Sequence, residues 1–168
     1  MIPKVSDIHT HNPQATDGVI NLEQGAEPQR DDALYSVGWH PWWGPCTDWS
    51  WVETCAADPR VVLIGECGID RSRGGDVEAQ IELTRRHALL AQRVGKPLIL
   101  HVVGAWGEIL GLRKQLKPSV PWIIHGFRGK PELVRQLLDA GFHISLGPKS
   151  PPALAGLIPP ERLLRETD

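Results

Sequence analysis

Cysteine is scarce in this 168-residue chain, which has only Cys46, Cys55 and Cys67. An odd count without paired spacing argues against a disulfide framework and for a reducing, cytoplasmic compartment. Long apolar runs are missing as well. None approaches the roughly 20 residues of a membrane-spanning helix. The N-terminus has no basic region followed by an apolar stretch, so no signal peptide is read there, and no membrane contact is expected. There is also no surplus of positive charge, because the net charge is −2. That removes any whole-surface attraction to nucleic acid. A nucleic-acid partner would have to be held locally, through a metal or a few basic side chains. Repeats, low-complexity tracts and linkers are absent. The length suits one domain, residues 1–168, with a real core.

What the chain does have is a pattern of short apolar runs, each closed by a metal-type residue. Val5-Ser6-Asp7-Ile8 runs into His9-Thr10-His11, and Val61-Val62-Leu63-Ile64-Gly65 into Glu66. Pro97-Leu98-Ile99-Leu100 runs into His101, Trp122-Ile123-Ile124 into His125, and Leu163-Leu164-Arg165 into Glu166-Thr167-Asp168. Short runs with little polar alternation suit strands buried on both faces, as in a parallel sheet. Four imidazoles and two carboxylates at the same end of such strands would converge.

Between these runs, strand and helix patterns alternate. Val19–Leu22 and Leu34–Val37 read as strands within an irregular early region that has no room for two good helices. Thr47 or Asp48 caps a helix through Ala57. Val77–Val94 is an amphipathic helix stopped by Gly95 and Pro97. Ala105–Leu116 reads as a helix with a basic end, and Pro131 opens another to Ala140. His143–Leu146 and Arg162–Glu166 complete the strands. Gly147–Pro160 reads as a loop with one helical turn. Roughly eight strands with crossover helices give an α/β fold, a reduced or incomplete (β/α)8 TIM-like barrel below the typical ~250 residues. It is either a trimmed barrel or a truncated product.

His9 and His11 alternate along a strand and point together, so they can grip one cation. Imidazoles with carboxylates suit zinc, manganese, iron or magnesium. With no cysteine in the set, a structural zinc cluster is not expected.

Seven segments, in order, resemble the TatD-type metal-dependent hydrolases of the amidohydrolase superfamily. Asp7-Ile8-His9-Thr10-His11 is similar to the family's D-x-H-x-H, and Val37-Gly38-Trp39-His40-Pro41 to its G-x-H-P segment. Ile64-Gly65-Glu66-Cys67-Gly68-Ile69-Asp70 resembles I-G-E-x-G-L-D. Gln80 through His101, His125-Gly126-Phe127-Arg128-Gly129, Gly141–Gly147 and Glu166-Thr167-Asp168 follow the later motifs. The resemblance implies two divalent ions, magnesium, manganese or zinc. His9, His11 and Asp168 would hold the first, His101 and His125 the second, and Glu66 would bridge them. Such a pair, about 3.5–4 Å apart, lowers the pKa of a bound water toward neutrality. Glu66 and Asp168 are then the catalytic carboxylates, with Asp168 taking the proton of the attacking water. The family's best-known activity is DNA cleavage from a 3′ end, so phosphodiester hydrolysis leads. An amide, ester or small-phosphoester hydrolase and a non-catalytic metal-binding relative remain open.

The chain departs from the family at several points. After His101 the family carries H-x-R-D-A, whereas Val102-Val103-Gly104-Ala105 keeps only the alanine. Arg128 is the candidate to hold a phosphate in place of that arginine. His40 is read as a second substrate-side residue. Of seven tryptophans, five fall between Trp39 and Trp51. Trp49 and Trp51 are assigned to packing, with Trp42 and Trp43 left open between packing and base stacking. His87 and His143 are read as structural, Asp70 as a loop-fixing residue and Cys67 as a small buried side chain.

Overall fold

The computed structural model describes residues 1–168. Eight strands form one sheet in sequence order: β1 Asp7–Thr10, β2 Gly18–Asn21, β3 Leu34–Val37, β4 Val61–Asp70, β5 Leu98–Val103, β6 Trp122–Ile124, β7 His143–Leu146 and β8 Leu163–Arg165. Every neighbouring pair is parallel. Four helices cross over: α1 Trp49–Ala56, α2 Val77–Val94, α3 Trp106–Leu116 and α4 Pro131–Asp139. Three of the four start where the local chemistry requires. The Asp48 carboxylate accepts from Trp51 N to cap α1, Asp76 caps α2, and Pro131 opens α4. Gly95 ends α2 in the left-handed region.

No helix joins β1 to β2 or β2 to β3. The strands are short enough to permit this. Residues 11–17 reach about 23 Å when extended, and a four-residue strand needs only about 13 Å of return. The barrel is nearly closed. At the seam between β1 and β8, the Asp7 carboxylate accepts from Thr167 N and Thr167 Oγ1, and Asp7 Oδ1 also accepts from His9 N.

Two apolar layers follow from the alternation of strand side chains. A large cluster lies between sheet and helices, including Trp39, Ile64, Ile69, Leu100, Trp122, Ile124 and Phe142. A small one from five strands, Ile8, Val19, Leu63, Ile99 and Ile123, fills the inside. His101 and His125 stand two residues beyond Ile99 and Ile123, so the period of two aims them inward above that plug. Glu66 stands three beyond Leu63. The β4–β5 register shifts between Ile64 and Cys67, which turns Glu66 to the same interior.

Two sequence expectations need correction. β4 runs on past Glu66 to Asp70, and β5 past His101 to Val103, paired as Gly68↔His101 and Asp70↔Val103. Glu66 and His101 therefore sit within strands rather than at their ends. The loop expected over residues 147–160 holds a six-residue 3-10 helix, Pro152–Leu157, longer than a single turn, and a second, Pro160–Arg162, leads from its end into β8.

Candidate metal centre

The six side chains expected to converge do so, at the C-terminal mouth of the barrel. Glu66 is buried at the centre and its two oxygens serve different neighbours. Oε2 lies 3.0 Å from His9 Nε2. Oε1 lies 3.0 Å from His40 Nε2, 3.1 Å from His101 Nδ1 and 3.1 Å from His125 Nε2. Asp168 Oδ2 completes the first side, 3.3 Å from His9 Nε2 and 3.6 Å from His11 Nε2. A cavity of about 740 Å³ opens over these groups and is also lined by Arg128, Lys149, Trp42 and Trp106.

Second partners fix the rings from behind. Asp70 Oδ2 lies 2.8 Å from His101 Nε2. Glu166 Oε1 lies 2.8 Å from His125 Nδ1, while its other oxygen accepts from Gly126 N and Ser145 Oγ. Such carboxylate–histidine pairs set ring orientation and tautomer in metal sites. Asn21 Oδ1 accepts from Glu66 N and Ser36 Oγ, which holds the glutamate backbone. His40 Nδ1 accepts from Trp42 N, which leaves Nε2 to donate to Glu66.

The electrostatics are those of carboxylates surrounded by imidazoles. Burial works against the charge on Glu66, but His125, His101 and His40 outweigh it and hold its carboxyl well below the usual range. Burial likewise opposes a charge on His125, yet Glu66 and Glu166 raise it to about 10. The Asp168 carboxylate raises His11 to about 9. On His9, burial is overcome by Asp168 and Glu66, and its pKa rises. Asp168 is lowered in turn by His11 and His9.

These donors fit a divalent cation. Both ring nitrogens of His9 are buried without a hydrogen-bond partner, although Glu66 and Asp168 oxygens lie close to Nε2. Burying an imidazole without partners is costly. The inner nitrogens of His9, His101 and His125 all face acceptor oxygens, and only a proton or a metal ion can sit between such a pair. His9, His11, Glu66 and Asp168 bring their donor atoms within 4.8 Å of one another, as do His40, Glu66 and His101.

The match to known proteins is consistent with this geometry. The family model described as TatD related DNase matches residues 7–168. The chain belongs to the TatD-related DNase family. It is 31% identical over 150 residues to metal-dependent hydrolase YabD of Bacillus subtilis, covering 82% of this chain and 59% of that protein. It is 32% identical over 167 residues to the 3′-5′ ssDNA/RNA exonuclease TatD of Klebsiella pneumoniae, covering 88% and 63%. The chain thus spans about three fifths of the length of these relatives. Its fold is that of YJJV, a TatD homologue from Escherichia coli, with a TM-score of 0.75 at 21% identity over 93% of this chain and 68% of that one. A TatD family hydrolase from Entamoeba histolytica gives a TM-score of 0.71 at 24% identity, over 90% and 60%.

Other sequence-predicted residues of this TatD-family chain fall as follows. Arg128 is exposed on the cavity wall. His40 lines the cavity, with its Nε2 3.0 Å from Glu66 Oε1. Asp70 does fix its loop, accepting from Ser72 N and Oγ, and it also holds His101 and Trp42. His87 is buried, accepting from Trp39 N and facing Leu83 O. Sequence reasoning missed Asn21 and the role of Glu166. Asn21 closes the apolar run Val19-Ile20, the same signal that marked the other site residues, but in a region read as irregular. Glu166 precedes Asp168 by two, the spacing already used for His9 and His11.

Proposed function

We propose that this chain is a metal-dependent phosphodiesterase acting at the end of a DNA or RNA strand, with residues 1–168 as its hydrolase domain. The divided carboxylate of Glu66 carries this reading, with one oxygen toward His9 and the other toward His101 and His125. Such a carboxylate suits a bridge between two cations. His9, His11 and Asp168 would hold one ion and His101 and His125 the other, with Glu66 between. Magnesium, manganese or zinc bound there would polarise a phosphoryl oxygen and acidify a bound water.

The chain's own groups supply the rest. Glu66 remains ionised, so the centre keeps its negative charge for cations. Asp168, ionised and partly open to the cavity, takes the proton of the attacking water. Asp70 and Glu166 pin the outward nitrogens of His101 and His125, which leaves the inner nitrogens aimed at Glu66. Arg128 and Lys149, on the cavity wall, offer positive charge to a phosphate, and a guanidinium can fork two of its oxygens. The exonuclease relatives support a nucleic-acid substrate. Three free thiols support a reducing, cytoplasmic setting.

The test is elemental analysis of the purified protein together with release of nucleotides from the 3′ end of labelled single-stranded DNA. Two equivalents of metal and end-directed cleavage are expected. Glu66→Ala should lose metal and slow cleavage about a hundredfold or more. Full cleavage by Glu66→Ala would overturn the proposal.

A further inference from the structure

We propose that Trp42 is the surface on which the terminal nucleobase of the strand stacks, an inference that rests on the phosphodiesterase reading above. The tryptophans around it do other work. Trp39 and Trp51 are buried. Trp43 packs edge-on against Trp39 at 5.5 Å, and Trp49 against His87 at 4.9 Å. Trp43 and Trp106 also line the cavity, but Trp42 alone of the seven tryptophans is exposed. It is 44% exposed and lines the cavity over Glu66.

A single exposed apolar residue is ordinary. Trp42 differs because it is exposed and anchored together. Its Nε1 donates to Asp70 Oδ2 at 2.7 Å, and Asp70 is buried. The same Oδ2 lies 2.8 Å from His101 Nε2. The indole also lies 4.8 Å from the His40 ring and 5.4 Å from the His101 ring, centre to centre. One carboxylate therefore ties the exposed ring to an imidazole facing Glu66. A ring already fixed loses little freedom when it binds.

The Arg73 guanidinium lies 4.1 Å over the Trp42 ring. That contact shows that the face of the ring is open enough to hold a guanidinium. Arg73 is exposed and makes no ion pair, so a base can take its place on the indole and free the guanidinium for a phosphate. Stacking also answers a need set by composition. With a net charge of −2 the chain has no general attraction for nucleic acid, and base–aromatic stacking grips any base regardless of sequence.

Binding and cleavage read the proposal separately. Two 5′-labelled single-stranded oligonucleotides are compared, one with a normal 3′-terminal nucleotide and one with an abasic residue there. Fluorescence anisotropy in EDTA reports affinity without turnover. The wild type should bind the normal strand more tightly than the abasic one. Trp42→Ala should weaken the normal strand about 5- to 150-fold, the range for one stacked base, and leave the abasic strand unchanged. Trp42→Phe, which keeps an aromatic face but lacks the Nε1 anchor, should bind the normal strand more tightly than Trp42→Ala and more weakly than wild type, which separates lost stacking from lost folding. Equal wild-type affinity for both strands, no binding of the normal strand, or equal weakening of both by Trp42→Ala would each overturn it. If the affinity pattern holds but no metal supports cleavage, the hydrolase reading falls and the stacking assignment stands.

Discussion

Two sets of histidines give the molecule opposite responses to pH. His87 is fully buried in α2, and burial lowers its pKa from 6.5 to about 4. Between those values the unfolded chain binds a proton that the folded chain refuses, so stability falls as pH drops from 6.5 toward 4. The cost approaches about 3 kcal/mol at the acid end. Urea unfolding at pH 7 and pH 4.5 should show it, and His87→Gln should be less stable at pH 7 but less sensitive to acid across this window. His11 and His125 behave in reverse. Their pKa values are raised to about 9 and about 10, so the metal-free fold holds protons that the unfolded chain has lost above 6.5. Stability without metal should therefore decline as pH rises from 7 to 10, and bound divalent ions should flatten that decline by replacing the protons. Thermal melts with chelator and with manganese check this, and identical slopes in the two series would refute it.

Among the elements, β4 carries the most constraint. Gly68, at φ 147°, has no room for a side chain, because a Cβ there would run into the carbonyl oxygen of His101. Gly38 on the other side would place a Cβ 2.6 Å from Gly65 Cα. Gly68→Ala should cost about 3 kcal/mol or more through strain and overpacking. It should also displace His101 and lower the amount of metal retained, as melts and elemental analysis can read. The same element shows where sequence was informative. Its apolar run and closing Glu66 were legible because hydrophobic periodicity reports burial directly. Its continuation to Asp70 was not, because glycine at 65 and 68 reads as a strand breaker when the neighbouring backbone that requires it is unseen. His9, His101 and His125 were legible as polar residues ending apolar runs. Glu166 and Asn21 act by touching another site residue, and such contacts exist only after folding.

For the molecule as a whole, the seam decides whether the centre exists. Asp7 and Thr167 are 160 residues apart, and their bonds bring Asp168 beside His9 and His11. Asp7→Ala removes the acceptor for three donors and should cost about 1–3 kcal/mol. It should weaken metal binding more than Asp7→Asn, which keeps part of the acceptor, and titration of both variants by calorimetry tests this. Chelation should lower the melting temperature of the wild type, since an ion that binds only the folded form stabilises it by mass action. A larger effect of Asp7→Asn than of Asp7→Ala would argue that the seam does not set the position of Asp168.

The seam also has a meaning in time. Contacts between distant parts of a chain are slow to form, because the intervening loop must close first. During synthesis His9 and His11 leave the ribosome long before Asp168 does. A nascent chain arrested short of β8 would carry imidazoles and Glu66 but no finished cradle, so the proposed metal centre is withheld until Asp168 has been added.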